Sequence, residues 1–256
     1  EYLVNAQIGR YPKPYVAIMD GITMGGGVGI SAHGSVRIAT DTTKMAMPEV
    51  GIGFIPDVGG TYLLARTPGL LGLHAALSGA PFTGADAIAM GFADHFVPHD
   101  LLEAFLATAT ADGPAAAVAA HAQEPPPSPL LAQRDWIDEC YAADTVSDIL
   151  AALGDRGGEP AAKAAELISS RSPVALAVTL EAVRRAGRLT SLEDVLRQEF
   201  RTSCASLRSH DLVEGIRAQL IDKDRNPKWS PRSSEAVTTA DVDAYFAPAD
   251  PDLSFD

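Results

Sequence analysis

The sequence predicts an α/β protein in which short buried strands alternate with helices, followed by a mainly helical second half. Three observations carry that reading. A continuous apolar run at residues 15–19 suits a buried parallel strand, and residues 35–39 and 95–97 read as two further short strands. Helix-patterned segments fall between these runs, the arrangement of a layered fold with its loops at strand ends. Beyond Pro125-Pro126-Pro127-Ser128-Pro129 the chain turns helical, up to an irregular tail after Pro231.

Residues 2–9 read as the end of a helix that Tyr11-Pro12-Lys13-Pro14 breaks. The first strand, 15–19, runs into Asp20-Gly21-Ile22-Thr23-Met24-Gly25-Gly26-Gly27-Val28-Gly29, a glycine-dense turn leading to a helix over about 26–33. A second strand covers 35–39. Met45-Ala46-Met47-Pro48-Glu49 is a short extended piece stopped by proline. The loop from Gly51 to Gly60 enters a helix near 61–66, further helices cover 70–78 and 84–90, and 95–97 is the third strand. Residues 111–130, Ala-rich and then Pro-rich, read as an extended, poorly helical linker. Helices follow over 161–170 and 173–186. Thr190-Ser191-Leu192-Glu193 reads as a capping box opening a longer helix. Its Leu192, Val195, Leu196, Phe200, Cys204 and Leu207 recur at three- and four-residue steps, an ordinary core stripe. The organisation expected is therefore a core over 1–110, a linker over 111–130, a helical lid or assembly region over 131–230 and an irregular tail over 231–256. No internal repeat is evident.

With 256 residues, 46% hydrophobic and 21% charged, the composition is that of a soluble globular enzyme. No apolar run reaches the roughly 18 residues of a membrane span. A net charge of −13 argues against nucleic-acid or anionic-lipid partners, although a local basic cluster could still hold a phosphorylated ligand. Cys140 and Cys204 form no C-x-x-C pair, and two reduced thiols fit a cytoplasmic protein. The six histidines lack metal-ligand spacing, so no metal is expected, and His33, His74 and His210 are taken as packed or capping side chains. The chain opens Glu1-Tyr2-Leu3-Val4, without methionine or signal peptide, as though cut from something longer.

The glycine turn is the first candidate for chemistry. Free N–H groups at a helix start attract negative charge, including the oxygen of a reacting carbonyl. A tight strand-to-helix crossover would use the same glycines, and the spacing is not G-x-G-x-x-G. Two acids stand out by their apolar company, Glu49 after Met47-Pro48 and Asp57 in Pro56-Asp57-Val58-Gly59-Gly60. Asp57 could instead cap the helix that follows, and Glu49 could pair with Arg37 or Arg66. An oxyanion site beside two acids suits thioester chemistry.

The span Lys13-Pro14-Tyr15-Val16-Ala17 through Gly29, with Ala46-Met47-Pro48-Glu49 and Pro56-Asp57-Val58-Gly59-Gly60-Thr61, resembles the crotonase (enoyl-CoA hydratase/isomerase) superfamily. Gly29, the Pro56–Gly60 run and His210-Asp211, Glu214-Gly215-Ile216-Arg217-Ala218, Leu220–Asp224 and Pro227-Lys228-Trp229 resemble its 3-hydroxyisobutyryl-CoA hydrolase branch. The resemblance implies a crotonase-like ββα-spiral core, truncated at its N-terminal side, with a C-terminal helical region. It implies that Gly26 supplies an oxyanion N–H, with Gly25 beside it, that Glu49 and Asp57 are catalytic, and that Glu1 contacts the acyl end of the substrate. The family pattern has a long segment before Glu1, with a second oxyanion donor and much of the coenzyme A site, so a missing segment is expected to complete the fold. The implied partner is an acyl-CoA thioester of valine breakdown, with no further cofactor and a possible homo-oligomer. Whether Glu49 is nucleophile or general base stays open. The runner-up is an enoyl-CoA hydratase or isomerase of the same fold, whose first glutamate would stand at position 29. A third reading is a non-catalytic acyl-CoA-binding module.

Overall fold

Strands of two to four residues bury little apolar surface alone, and this chain multiplies their effect by bending each long run through a corner into a second sheet. The computed structural model describes residues 1–255, and the last residue of the expected tail lies outside them. Helix α1 (Tyr2–Gly9) precedes β1 (Val16–Met19), which turns at Asp20-Gly21 into β2 (Ile22–Met24). Helix α2 (Gly26–Ser31) returns the chain to β3 (Val36–Ala39), which bends through residues 40–43 into β4 (Lys44–Ala46). The two corners are stapled together. The Asp20 carboxylate accepts hydrogen bonds from Thr40 Oγ1 at 2.7 Å and from Thr42, and lies 2.8 Å from His99 Nδ1.

A single-turn 3₁₀ helix (Glu49–Ile52) and a loop lead to α3 (Gly60–Leu64) and α4 (Leu71–Ser78). Then β5 (Phe82–Thr83), α5 (Gly84–Ala89) and β6 (His95–Phe96) complete two three-stranded sheets, ordered β1-β3-β6 and β2-β4-β5. The first sheet is wholly parallel, with Val16 opposite Val36. In the second, β2 and β4 are parallel and β5 is antiparallel.

One face of the first sheet, through Val16, Ile18, Val36 and Ile38, packs on Phe105 of α6 (Leu102–Asp112) and Ala117 of α7 (Pro114–His121). Met19 and Ala39 belong to a larger cluster that continues through α8 (Arg134–Tyr141), α9 (Val146–Arg156), α10 (Glu159–Ser169) and α11 (Pro173–Ala186). Helices α12 (Leu192–Ser206), α13 (His210–Ile216) and α14 (Thr239–Ala244) follow.

Five expectations change. The linker expected over 111–130 is helical as far as His121, because Pro114 sits at a helix start and alanine is the best helix former. Only the segment after it is extended. Apolar packing runs unbroken from Met19 to Val183, so the boundary expected near 110–131 does not divide the core. The cap of α12 is Ser191, whose hydroxyl accepts from Asp194 N at 3.0 Å, one residue later than the expected box. The α12 stripe is only partly apolar: Val195 and Leu196 are buried, Leu207 is 69% exposed, and Glu199, Thr202, Ser203 and Ser206 fill the inner face. The tail holds α14, whose Asp243 pairs with Arg185 at 2.9 Å, while Asp252 beyond it accepts from Arg201 at 2.9 Å.

Candidate active site

The glycine turn is needed where it stands. Gly25 has φ near 52°, a left-handed backbone that L side chains rarely adopt, and this bend carries the chain from β2 into α2. A Cβ on Gly25 would lie 3.3 Å from Glu49 Oε1, and one on Gly26 would lie 3.0 Å from Glu1 Oε1. Two carboxylates therefore lie against the turn. The first N–H groups of α2 have no acceptor within the helix, so the turn offers donors beside those acids.

Glu49 reaches this point because β4 ends at Ala46 and Met47-Pro48 delivers it to the 3₁₀ turn. That turn is seated against α13 so closely that a Cβ on Gly215 would fall 2.1 Å from Ile52 O, and one on Gly53 would fall 2.4 Å from Asp211 O. Asp211, 3% exposed, accepts from Ser172 Oγ at 2.6 Å and from Ser230 N at 2.8 Å. The His210–Gly215 motif thus forms a seat for the Glu49 segment. Glu49 is buried and its Oε2 has no hydrogen-bond partner. Burial pushes its carboxyl well above the usual range, and the charges of Asp57 and Glu199 add to the rise. Neither arginine expected as a partner reaches it. Arg37 pairs with Asp94, and Arg66 donates to the carbonyls of Tyr62 and Leu189.

Asp57 is not a helix cap, since the residue capping α3 is Gly59, with no side-chain bond. Instead Asp57 Oδ2 accepts from Tyr2 Oη at 2.9 Å. Tyr2 Oη is also 2.7 Å from Ser203 Oγ. The phenol has one proton, and with that proton on Asp57 the serine donates to the tyrosine. Burial, reinforced by Glu1, pushes Asp57 up to about 6, against the lowering effect of the tyrosine bond.

The loop holding Asp57 is pinned from both sides. His33 Nε2 is 2.8 Å from Val58 O, and Val58 is a β-branched residue at φ near 55°. From the other side Glu199 of α12 takes Gly59 N at 2.6 Å, Thr61 N at 2.9 Å and Thr61 Oγ1 at 2.5 Å. Burial pushes Glu199 up to about 8 although Thr61 and Gly59 oppose the rise. Glu49, Asp57 and Glu199 thus lie within electrostatic reach of one another, and among the described residues no cation forms an ion pair with any of them. Such crowding separates their proton affinities, the condition in which one acid holds a proton while a neighbour has lost its own.

Tyr2, Glu199 and Ser203 were not singled out from sequence. Glu199 carried a usable signal, since it lies four residues after Val195 and three after Leu196, on their face of the helix. His74 is packed between the rings of Trp136 and Tyr141, 2.8 Å from the tyrosine oxygen, away from these acids. Among the described residues no three of His, Cys, Asp and Glu converge as a metal site.

Position 29 is closed. A Cβ there would lie 2.6 Å from Val58 Cβ and 2.9 Å from Asn5 Nδ2, so this backbone holds nothing larger than glycine without shifting.

The family model described as enoyl-CoA hydratase/isomerase matches residues 1–246. The 3-hydroxyisobutyryl-CoA hydrolase, mitochondrial, of Danio rerio is 40% identical over 98% of this chain and 68% of its own length. The chain spans about two thirds of the length of the curated relatives it matches. A crystal structure of a carnitinyl-CoA dehydratase from Mycobacterium thermoresistibile superposes with a TM-score of 0.97 at 70% identity, over 99% of this chain and 74% of that one. That of an enoyl-CoA hydratase from Rhodobacter sphaeroides gives 0.94 at 40% identity, over the same 99% and 74%.

Proposed function

The chain belongs to the enoyl-CoA hydratase/isomerase family and has its crotonase fold, and from that premise we propose that it hydrolyses acyl-CoA thioesters, with 3-hydroxyisobutyryl-CoA as the natural substrate. The observation that carries this reading is the pairing of an acid-lined glycine turn with a closed position 29. Glu49 lies against the turn and Asp57 within electrostatic reach of Glu49 and Glu1, while the further glutamate that hydration would use, at position 29, has no room.

In this reading the Gly26 N–H polarises the thioester carbonyl, and Gly25 lets the backbone approach the substrate. Attack on that carbon breaks the carbon–sulfur bond. Water supplies a hydroxyl to the acyl group and a proton to the thiolate, giving a carboxylic acid and free coenzyme A. Glu49, buried and of high proton affinity, acts as nucleophile or as general base, and a raised pKa strengthens it as a base. Asp57, at about 6, is mostly ionised at neutral pH and exchanges the proton with water or the leaving sulfur. Glu1, whose carboxylate reaches the turn, faces the acyl end. The reaction so drawn requires no cofactor beyond the coenzyme A of the substrate.

Two thiols, Cys140 buried and Cys204 half-buried and both free, favour a reducing compartment, which cytoplasm and mitochondrial matrix both provide. Among the described residues no helix is long and apolar enough to cross a membrane.

The dehydratase and hydratase names of the two structural neighbours keep a lyase reading in view. The intact protein decides between them in one pair of assays. Coenzyme A released from 3-hydroxyisobutyryl-CoA, read with a thiol reagent, should far outpace hydration of crotonyl-CoA, read by loss of enoyl absorbance. A dominant hydration rate would overturn the proposal.

A further inference from the structure

Resting on the hydrolase reading, we propose that Tyr2 is a positioning residue for Asp57, held between that carboxylate and Ser203 of α12, and that it fixes which way the acid points.

The geometry is specific. Tyr2 sits in the first turn of α1 and Ser203 in the last turn of α12, and they meet across 201 residues of sequence at 2.7 Å. The Tyr2 ring is further fixed edge-on to Phe200, with ring centres 6.0 Å apart. Ring contact and serine bond together leave the phenol little freedom, so its proton is aimed along one line, at Asp57 Oδ2. The phenol itself resists ionisation, because burial and the Asp57 charge both push its proton affinity up. Tyr2 therefore donates without exchanging the proton away.

The groups facing Asp57 make that donor matter. Glu1 precedes α1, Glu49 lies on the 3₁₀ turn, Glu199 lies on α12 and the neutral His33 is turned to the neighbouring carbonyl. Glu1 raises the cost of ionising Asp57, the Asp57 charge in turn raises Glu49 and Glu199, and the Tyr2 hydroxyl is the side chain that favours the ionised form of Asp57. A hydrogen bond to a charged group shifts that group's pKa by about one to two units. Loss of the phenol should thus raise the Asp57 pKa by at least one unit or so.

The test compares Tyr2→Phe and Ser203→Ala in the intact protein. Two readouts are used: the pH profile of thioester turnover and the NMR titration of the ¹³C-labelled Asp57 carboxyl, assigned with Asp57→Asn. In Tyr2→Phe both the acid limb and the titration should move up by about one unit, with activity recovering as pH rises. Ser203→Ala, which frees the phenol but keeps it, should move both by less in the same direction. An Asp57 titration unmoved in both variants would overturn the proposal, whatever happens to turnover. So would a loss of activity equal at every pH, the mark of a structural role. A titration that moves in a protein without hydrolase activity would uphold the positioning role and remove the hydrolase reading instead.

Discussion

At Gly29 the absence of a side chain separates two chemistries. Val58 and Asn5 fill the space where a β-carbon would stand, so even the smallest addition must push on packed atoms. Gly29→Ala should cost about 1–3 kcal/mol by overpacking, read as a lower urea midpoint, and Gly29→Glu should not create a hydratase. A soluble Gly29→Glu enzyme with brisk crotonyl-CoA hydration would show that the site has slack. Glu49 gives the complementary case, since its unpartnered Oε2 tolerates an amide of the same shape. Glu49→Gln should lower kcat by about 10²–10⁴-fold, the usual worth of an acid–base group, and leave KM nearly unchanged. A KM that rises in step with the fall in kcat would instead make Glu49 a binding group.

Among the elements, α12 shows what sequence patterning carries and where it stops. The run at 15–19 is apolar throughout and Val36, Ile38 and Ala39 carry the run at 35–39, so β1 and β3 were legible. The strands β2 and β5, of three and two residues, exist only through pairing with β4 and left no pattern of their own. For α12 the period was correct but the inner face is polar, because it meets a loop of backbone donors and a tyrosine hydroxyl. Glu49 and Asp57 were legible as acids in apolar company. The side chains that hold the Asp57 loop were not, since Glu199 bonds to Gly59 and Thr61 across about 140 residues of chain. That contact is testable. Both carboxylate oxygens of Glu199 accept, one from Gly59 and one from Thr61, whereas an amide accepts at one end only and sets its NH₂ against a donor at the other. Glu199→Gln should therefore destabilise the fold by about 1–3 kcal/mol and lower kcat through a loosened Asp57 loop. Unchanged denaturation and unchanged turnover would show that the loop is held by His33 and packing alone.

For the whole molecule, the buried acids set how stability responds to pH. A group whose folded pKa lies above its unfolded value keeps its proton longer when folded, so stability falls as pH rises between the two values. Asp57, raised to about 6, acts below neutrality. There His33 and His74 oppose it, because their folded pKa values lie below 6.5 and the unfolded chain takes up protons first as pH falls. The ion-paired Asp94 and Glu214, both lowered, act at still lower pH. Between pH 7 and 9 these groups are spent. What remains is Glu199 at about 8, with the raised Cys140 thiol adding the same sign towards pH 9. The folded state then holds protons that the unfolded chain has released, so stability must fall across this window. Glu199 alone contributes about 1 kcal/mol of that loss. Urea midpoints of the wild type should drop from pH 7 to pH 9, and those of Glu199→Gln should drop by less, because the variant has no proton to lose at that position. Parallel lines for the two proteins would mean that Glu199 is already ionised at pH 7, held so by its three donors.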